Sequence, residues 1–571
     1  MTGFLRNTKP YWLLSLLGCL FFIPFLGEFH LFDWDEINFA ESSREMLLTG
    51  DFFKVQVNYE PFQEKPPMFF WMQSLAMHFF GVSEFSARLP NAIFGILSLS
   101  ILFSVGKHLK NELFGWIWAL VYLCSLLPHF YYKSGIIDPV FNLFIFLGIY
   151  FFIRWINALD GKKVLFSCCS GLFIGLAIIT KGPVGLLLML LTVLVFWLIG
   201  RFKSLFAFRE FIVFISALSF VSLFWFGYET FQNGPWFLVE FIKYQLELFS
   251  EPVAGHQQPI YYHFVVVLIG CFPMSIIALP RFFRSSETEI FSFEKWMKIL
   301  FWVVLILFTI VSTKIVHYSS MSYLPLSYLA ALELYSLKKP SRWMLFSLLL
   351  VGFLLSAVLF LIPFLGQFYV NDLKTLVDDV FVKAALSSEI KWGGFEHYIA
   401  LIYLFSVFIF IYLYFRKQLI LGLSVLVIGL GSTLLLTGKF TLPKVEQFSQ
   451  RPAIDFYKSI SAEDCYITTV GFKSYAHYYY GAVSPLGNDD VLKSLRFNFK
   501  DQIMTKHTVF NQQARKEYNL KILDWYKNGN IDKTVYFVSR VDRKHHLDRN
   551  QNIDFLYTKG GFVFYKRTSN N

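Results

Sequence analysis

FDWDEINFAESSREM, residues 32–46, follows directly on the first apolar run of the chain, residues 11–28. The stretch carries three carboxylates within four positions, on Asp33, Asp35 and Glu36. An apolar run of about 20 residues crosses the hydrocarbon core of a bilayer, and ionised side chains are costly inside that core. The acidic stretch therefore belongs at a membrane surface. Its function depends on which other polar segments share that surface.

The composition identifies the class of protein. Of 571 residues, 55% are hydrophobic and 20% aromatic, and the mean hydropathy is +0.50, which excludes an ordinary water-soluble domain. The first apolar run follows Arg6 and Lys9, as a signal peptide would, but no small-residue cleavage site follows it. We interpret it as a retained first helix. Five of the six cysteines lie in apolar runs, which leaves no disulfide framework or zinc spacing in the polar region.

The apolar runs predict a polytopic α-helical protein with about thirteen transmembrane helices. Splitting 164–200 into two spans rests on Gly182 and Pro183, and one long kinked helix is the alternative. The predicted spans are 11–28, 88–106, 113–131, 136–153, 164–180, 183–200, 210–228, 262–280, 298–313, 321–337, 343–364, 398–415 and 418–437.

The distribution of charge predicts the orientation. If the N-terminus is cytoplasmic, every segment on the inner side is basic, from Arg6 and Lys9 to Arg416 and Lys417. Cytoplasmic loops of membrane proteins collect Lys and Arg in this way. The net charge of +11 is therefore mostly a topology signal, and we expect no nucleic-acid partner.

The odd number of spans places the C-terminus outside. From about residue 440 the sequence becomes polar, with strand-like runs CYITTVGF (465–472) and KTVYFVSR (533–540) and a Gly-Gly turn in FLYTKGGFVFYKR (555–567). Pro452 marks the first turn of a helix. We predict a transmembrane domain at 1–439 and a small extracytoplasmic α/β domain at 440–571.

With the sides assigned, the chemically mixed loops all fall outside. They are the first outer loop at 29–87 and the loops around IIDP (136–139), TKGP (180–183), GHQQPIYY (255–262) and STKIVHYSS (312–320). Their predicted location on one face supports a functional site there more strongly than any single motif does. The candidate residues on it are Asp35, Glu36, Glu64, Lys65, Asp138, Lys181, His256, Lys314, His317 and Tyr318.

The acidic stretch also has a purely structural interpretation. Asp33 and Glu36 are spaced as an N-cap residue and its third-position partner, which predicts a capping box for the helix that follows. Asp35 would then occupy the second helical position, where the helix dipole favours an ionised carboxylate. A base that removes an acceptor proton needs these properties, and a solvated surface acid has them too.

The outer lysines point to an anion. Lys181 and Lys314 flank spans on the side where membrane-flanking lysines are not expected, and a lipid phosphate is the anion at that depth. Two other candidate segments also have structural interpretations, which stay open. EKPP (64–67) can be an extended turn, and Asp138 before Pro139 can be an N-terminal helix charge.

The motifs together resemble a known family. DWDEINFAESSREML (33–47), EKPPMFFW (64–71) and GVSEFSARLPNAIFG (81–95) are similar to segments of the integral-membrane GT-C glycosyltransferases that use polyprenyl-phosphate sugars. IIDP, TKGPVG, GHQQPIYY and STKIVHYSSMSYLPL extend the resemblance over most of residues 30–330. The nearest groups are the lipid A 4-amino-4-deoxy-L-arabinose transferases and the bacterial protein O-mannosyltransferase-like enzymes. The resemblance implies a GT-C fold with juxtamembrane helices in the first outer loop.

The resemblance also implies roles for the candidates. Asp35 matches the catalytic acid and Glu36 its partner, whereas Asn38 and Phe39 stand where relatives tend to have Arg and Tyr. The other matches lie in later loops. They are the acid-lysine motif at Glu64 and Lys65, the second-loop acid at Asp138, the donor-phosphate lysine at Lys181, and a basic-aromatic segment at Lys314, His317 and Tyr318.

The expected function is inverting glycosyl transfer from a polyprenyl-monophosphate sugar to a lipid (lipid A-like), glycan or protein acceptor. It takes place on the periplasmic face of a bacterial inner membrane. The phosphate-binding residues would be Lys65, Lys181 and Lys314, with His256, His317 and Tyr318 as substrate contacts. No cofactor is implied beyond a divalent metal that Glu64 could help to hold. No P-loop or dinucleotide fingerprint is present, so no nucleotide is expected. The alternatives are a flippase for lipid-linked sugars and a non-catalytic scaffold of envelope assembly.

Overall fold

The computed structural model describes residues 2–62, 64–202, 207–251, 257–284, 292–336, 341–484 and 512–569. The chain forms two compact units, each built from three separate segments. The helical unit comprises Met1–Gly27, Gln63–Leu361 and His397–Thr437, and the sheet unit comprises Glu28–Phe62, Ile362–Glu396 and Gly438–Asn571.

The helical unit contains most of the apolar helices. They run in chain order as α1 (Thr2–Phe22), α3 (Met68–Phe80), α4 (Glu84–Leu109), α5 (Glu112–Leu123), α6 (Leu126–Tyr131), α7 (Asp138–Asn157), α8 (Asp160–Lys181), α9 (Val184–Ile199), α10 (Phe208–Asn233), α11 (Trp236–Ser250), α12 (Tyr262–Gly270), α13 (Met274–Phe283), α14 (Phe293–Ile310), α15 (Tyr323–Ser336), α16 (Arg342–Phe368), α19 (Ile399–Phe415) and α20 (Leu419–Leu436). A 3-10 helix, Val316–Ser322, precedes α15.

The polytopic membrane fold is confirmed. Among the described residues, seven helices are long and apolar enough to cross a membrane, or eight if one bent pair is a single span. The shorter apolar helices Lys9–Phe22, Glu112–Leu123 and Val184–Ile199 coincide with further predicted spans. The count of thirteen stays a prediction. The seven helices are Glu84–Leu109, Asp138–Asn157, Gly161–Lys181, Phe208–Gln232, Arg342–Phe368, Glu396–Phe415 and Leu419–Phe448.

Two predicted spans are not continuous helices. The 113–131 span divides into α5 and α6, because Pro128 has no N–H to donate to the preceding turn. The 262–280 span divides into α12 and α13, which are bent by 116°. Pro273 occupies the break, immediately before the first residue of α13. The break predicted at Gly182–Pro183 is confirmed: α8 ends at Lys181, and Gly182 adopts a φ of 105°.

Close packing of α8 between α7 and α10 fixes the core of the helical unit. A Cβ on Gly171 of α8 would lie 2.3 Å from the carbonyl oxygen of Phe214 on α10. A Cβ on Gly148 of α7 would lie 2.6 Å from Cδ1 of Ile174 on α8. Small residues of this kind let apolar helices approach closely. Because α7 and α8 are consecutive and antiparallel, the first residue of α7 and the last residue of α8 lie at the same end.

The sheet unit contains α2 (Asp35–Thr49) and the hairpin of β1 (Gln56–Val57) and β2 (Glu60–Pro61). Its main sheet has the order β3-β4-β6-β5, in which β3 and β4 are parallel and the other pairs antiparallel. Its strands are β3 (Cys465–Val470), β4 (Thr534–Arg540), β5 (Asp554–Lys559) and β6 (Phe562–Arg567). Its other helices are α17 (Val370–Leu376), α18 (Val380–Ala385), α21 (Leu442–Val445), α22 (Arg451–Ser459), α23 (Ala476–Tyr480), α24 (Gln512–Asn528) and α25 (His545–Asp548).

The local predictions for the C-terminal region are confirmed. Both strand-like runs form strands, α22 carries Pro452 in its first turn, and Gly560 and Gly561 join β5 to β6 with positive φ. The apolar side chains of β4 and β6 form the core of this sheet with those of α24. Glu28–Phe62 and Ile362–Glu396 belong to the same unit, whereas the predicted boundary between residues 439 and 440 stays a prediction.

Candidate active site

A buried ion pair joins the first residue of α7 to the last residue of α8. The Lys181 Nζ lies 2.6 Å from Asp138 Oδ1, and the two side chains are 13% and 6% exposed. Each residue also suits its helix end, since the dipole favours an anion at an N-terminus and a cation at a C-terminus. The sequence predicted a helix-end charge at Asp138 and an anion ligand at Lys181. In the structure these two residues form one ion pair.

Two more basic side chains act on the same carboxylate. The Nε2 atom of His317, on the 3-10 helix, lies 3.9 Å from Asp138 Oδ2. Lys65 acts on Asp138 electrostatically as well. When His317 is protonated, three basic side chains act on one carboxylate, and such a group of cations can attract an anionic ligand.

Aromatic rings form the walls around these lysines. The Lys181 Nζ is 5.2 Å from the ring centroid of Tyr318, and the Lys65 Nζ is 5.6 Å from that of Tyr244. The Tyr244 hydroxyl donates a hydrogen bond of 3.0 Å to Glu64 Oε2. Helix α11 thus contacts both members of the acid-lysine motif. The rings are within the range of cation–π interactions, which are stronger where water is excluded.

Lys314 lies beyond the end of α14 and is buried. Its Nζ donates a hydrogen bond of 2.9 Å to the carbonyl of Val311, and the residue is 9% exposed. His263 of α12 is fully buried, and the charges of Lys314 and His317 act on it. The STKIVHY segment therefore brings both Lys314 and His317 within electrostatic range of His263.

Backbone contacts hold this segment against the end of α11. The amide of Ser312 donates to the carbonyl of Phe249 over 3.1 Å, and the Thr313 hydroxyl donates to the carbonyl of Glu251 over 2.8 Å. The end of α11 and the segment that follows α14 are therefore joined. His256, predicted as a substrate contact of the fourth loop, lies outside the described residues.

The acidic stretch lies in the sheet unit, and its predicted capping box is wrong. Helix α2 begins at Asp35, and the preceding Trp34 has a φ of 76°. Asp33 Oδ1 instead accepts the amide of Trp34 at 2.8 Å and that of Tyr475 at 3.1 Å. Glu36 Oε2 accepts the amide of Phe32 at 2.8 Å. The C-terminal segment competes for the Asp33 carboxylate, so that carboxylate does not cap the helix.

Asp35 is the first residue of α2 and is half-buried. The adjoining ring of Trp34 lies 5.8 Å from that of Tyr475, and the Lys473 Nζ is 4.6 Å from the Trp34 centroid. Residues from the KSYAHYYYG segment (473–481) therefore surround the turn that precedes Asp35. The sequence did not assign them, although four tyrosines in six positions (475–480) were a visible signal.

Charged side chains are buried along the rest of α2. Arg44 forms two hydrogen bonds of 2.7 Å with Glu41 and one of 2.7 Å with the carbonyl of Val483. Glu45 accepts the amide of Tyr59 at 2.8 Å. Burial, together with the neighbouring Glu41 carboxylate, raises the pKa of Glu45 well above its usual value. These contacts fix α2 against both the β1–β2 hairpin and the C-terminal segment.

The structure thus divides the predicted site between the two units. The helical unit brings together Glu64, Lys65, Asp138, Lys181, His317 and Tyr318, with Lys314 nearby. Asp35 and Glu36 belong to the sheet unit. Sequence reasoning missed Tyr244 and His263, which stand in no motif and are recognised only from their contacts. No group of three or more metal-ligating side chains occurs within the described ranges, and a metal at Glu64 stays a prediction.

The first comparison concerns the sequence. The family model described as dolichyl-phosphate-mannose-protein mannosyltransferase matches residues 64–230. An uncharacterized protein of Aquifex aeolicus is 29% identical over 62% of this chain and 78% of its own length. The undecaprenyl phosphate-alpha-4-amino-4-deoxy-L-arabinose arabinosyl transferase of Pectobacterium carotovorum is 28% identical over 56% of this chain and 58% of its own length.

The second comparison concerns the fold. ArnT from Cupriavidus metallidurans, in a crystal structure bound to undecaprenyl phosphate, matches with a TM-score of 0.74. The match covers 100% of this chain and 99% of that chain at 18% identity. The chain has the GT-C fold. The resemblance to GT-C glycosyltransferases that the motifs predicted is therefore confirmed. The matched segment spans less than two thirds of the length of the Pectobacterium transferase.

Proposed function

We propose that the protein is an inverting GT-C glycosyltransferase that moves a sugar from a polyprenyl-monophosphate carrier to a lipid, glycan or protein acceptor. The reaction takes place on the periplasmic face of a bacterial inner membrane. The observation that carries the proposal is the group of basic side chains that act on Asp138: Lys181 at 2.6 Å, His317 at 3.9 Å and the charge of Lys65.

The chemistry requires such a cluster. In the transfer, the bond between the sugar anomeric carbon and the phosphate oxygen breaks, and its electron pair leaves with the phosphate. The acceptor oxygen forms the new bond, and its proton passes to Asp35. Cations positioned where negative charge develops stabilise the transition state. Lys65 and Lys181 supply that charge, and Asp138 holds Lys181 in place before the donor arrives.

The relatives support a lipid carrier of this kind. The Pectobacterium enzymes are named as arabinosyl transferases that use an undecaprenyl phosphate sugar, and ArnT was crystallised with undecaprenyl phosphate. In this chain the cations lie at helix ends, the depth at which a lipid phosphate lies in a bilayer. The carrier tail then extends along the apolar helices, and the sugar extends toward the outer loops.

Replacement of Asp35 by Asn tests the catalytic assignment. We expect transfer to be abolished, because the amide cannot accept the acceptor proton, while binding of undecaprenyl phosphate is retained. Asp51→Asn is the matched control, since Asp51 is an exposed acid of the same loop that accepts the amide of Phe53 at 3.2 Å. Turnover at the wild-type rate in the Asp35 variant would contradict the assignment.

Mass spectrometry of envelope lipids and periplasmic proteins from a deletion strain identifies both substrates. A sugar mass that is lost from one acceptor, and restored by the wild-type gene but not by the Asp35→Asn gene, establishes transfer. Reconstituted proteoliposomes separate this function from that of a flippase. Sugar that moves from the carrier to an acceptor supports the transferase, and sugar-lipid that crosses the bilayer unchanged supports the flippase.

A further inference from the structure

We propose that a cavity between the end of α9 and the start of α14 binds the head group of an anionic phospholipid. The cavity has a volume of about 550 Å³. Among the described residues that line it, three are basic, Arg201, Lys295 and Lys298, and none is acidic. Phe196 and Ile299 are among its apolar lining residues. It belongs to the helical unit and is separate from the Asp138 cluster.

Helix geometry places the cavity at the opposite membrane face from that cluster. Helix α9 starts three residues after Lys181 and has 16 residues, so it rises about 24 Å before it reaches Arg201. Helix α14 has 18 residues and runs about 27 Å from the cavity toward Lys314. Both lengths approach the roughly 30 Å of a bilayer core. The predicted orientation makes this the cytoplasmic face, where anionic lipids attract basic groups.

A carboxylate next to the cavity contacts two of the basic side chains in this region. Glu294 lies 2.9 Å from the Lys298 Nζ and 2.7 Å from Arg281 Nη2, so one carboxylate is shared by two cations. Lys298 also donates a hydrogen bond of 3.0 Å to the carbonyl of Arg284. Arg201 and Lys295 bring two more positive charges to the same cavity. A phosphate group with a net negative charge complements this arrangement.

An apolar strip continues from the cavity along α14. Trp302, Ile306 and Ile310 are 43%, 51% and 64% exposed. Their spacing of four residues puts them on the same helix face as Lys295 and Ile299. A phospholipid fits this combination, with its phosphate at the basic residues and an acyl chain along the strip. Free phosphate has no apolar part that could contact the strip, so we propose a lipid as the ligand.

Two stacked aromatic rings join the helices on either side of the cavity. The ring of Phe196 on α9 stacks on the ring of Trp296 on α14 with a centroid distance of 3.8 Å. Trp296 is fully buried. The two helices next to the basic residues are thereby held together.

Native mass spectrometry of the full-length protein in detergent tests the proposal, with phosphatidylglycerol as probe and phosphatidylcholine as the zwitterionic comparison. We expect the double variant Arg201→Gln/Lys295→Gln to bind phosphatidylglycerol roughly 10- to 30-fold more weakly, since each Lys or Arg near an anionic surface contributes a factor of about five. Binding of phosphatidylcholine should be unchanged. The matched control is Lys107→Gln/Lys110→Gln, two basic residues at the end of α4 that do not line the cavity.

Three results overturn the proposal. The first is equal binding of phosphatidylglycerol to the double variant and the wild type. The second is an equal loss in the α4 control, which would show that only the overall charge matters. The third is complete displacement of the lipid by millimolar inorganic phosphate, which would make the cavity a phosphate site. Unchanged binding of undecaprenyl phosphate to the double variant verifies that the variant is folded.

Discussion

Replacement of Lys181 by Gln removes the cation from the buried ion pair with Asp138. Loss of one partner of a buried pair costs about 3–5 kcal/mol, because the remaining charge is left without compensation. Here His317 at 3.9 Å and the charge of Lys65 still act on the carboxylate. We therefore expect the lower end, about 3 kcal/mol, in the free energy of unfolding.

An exposed ion pair provides the matched comparison. The Lys107 Nζ lies 3.2 Å from Glu112 Oε2, and these side chains are 38% and 53% exposed. Pairs of this kind contribute less than about 1 kcal/mol, since water already stabilises both charges. Lys107→Gln should therefore leave the free energy of unfolding nearly unchanged, as measured by denaturant titration of the solubilised protein.

The double variant Asp138→Asn/Lys181→Gln separates stability from donor binding. It removes both charges of the buried pair, so most of the lost stability should return. Binding of undecaprenyl phosphate should stay weak, because the proposed phosphate ligand is still absent. A single positioned electrostatic contact contributes about 10²- to 10³-fold in rate, and transfer should fall by that factor. Recovery of both donor binding and transfer in the double variant would refute the role of Lys181 as a phosphate ligand.

Three further predictions concern other parts of the protein. Glu45 has a pKa raised above its ordinary value of 4.5, so the folded state binds its proton more tightly than the unfolded state. The contribution of Glu45 to stability should therefore fall as the pH rises above about 4.5, and the Tm of the wild type should fall relative to that of Glu45→Gln between pH 5 and pH 8. An equal change of Tm in both proteins over this range would contradict the assignment. Tyr244→Phe removes a hydrogen bond to the Glu64 carboxylate, and kcat/KM for transfer should fall about tenfold, since such bonds contribute about 1.5–3 kcal/mol. A lack of effect would show that this contact is dispensable. Deletion of residues 438–571 removes Val483 and Tyr475, which contact Arg44 and Asp33, and transfer should be lost while membrane insertion, measured by carbonate extraction, persists.

Features that depend on neighbours in sequence could be predicted. The break between α8 and α9 was predictable because Gly182 needs a positive φ and Pro183 cannot donate an amide hydrogen. The strands of the C-terminal region were equally visible from their residue pattern. The bend at Pro273 was missed because apolar composition dominates a span prediction, and residues 262–280 are apolar on both sides of the break.

Features that depend on contacts between distant segments could not be predicted. The capping box at Asp33 fits the local sequence, but the amide of Tyr475 takes the carboxylate from 442 residues away. The pairing of Asp138 with Lys181 required the antiparallel packing of α7 and α8, although the sequence had placed both residues on the same predicted face. Side chains such as Tyr244 carry no motif and are identified only through the atoms that they contact.

The sheet unit has a consequence for how the protein is made. The backbone amide of Leu31 donates a hydrogen bond to the hydroxyl of Tyr480, which lies 449 residues later in the chain. The Arg44 side chain donates one to the carbonyl of Val483, which lies 439 residues later. At about 5–20 residues per second, the acidic loop waits roughly 20 to 90 seconds after synthesis for these partners. During that interval the buried charges of α2 must remain hydrated. Every helix of the membrane region is therefore synthesised before Asp35 reaches its final place, so a prematurely terminated chain should be inert.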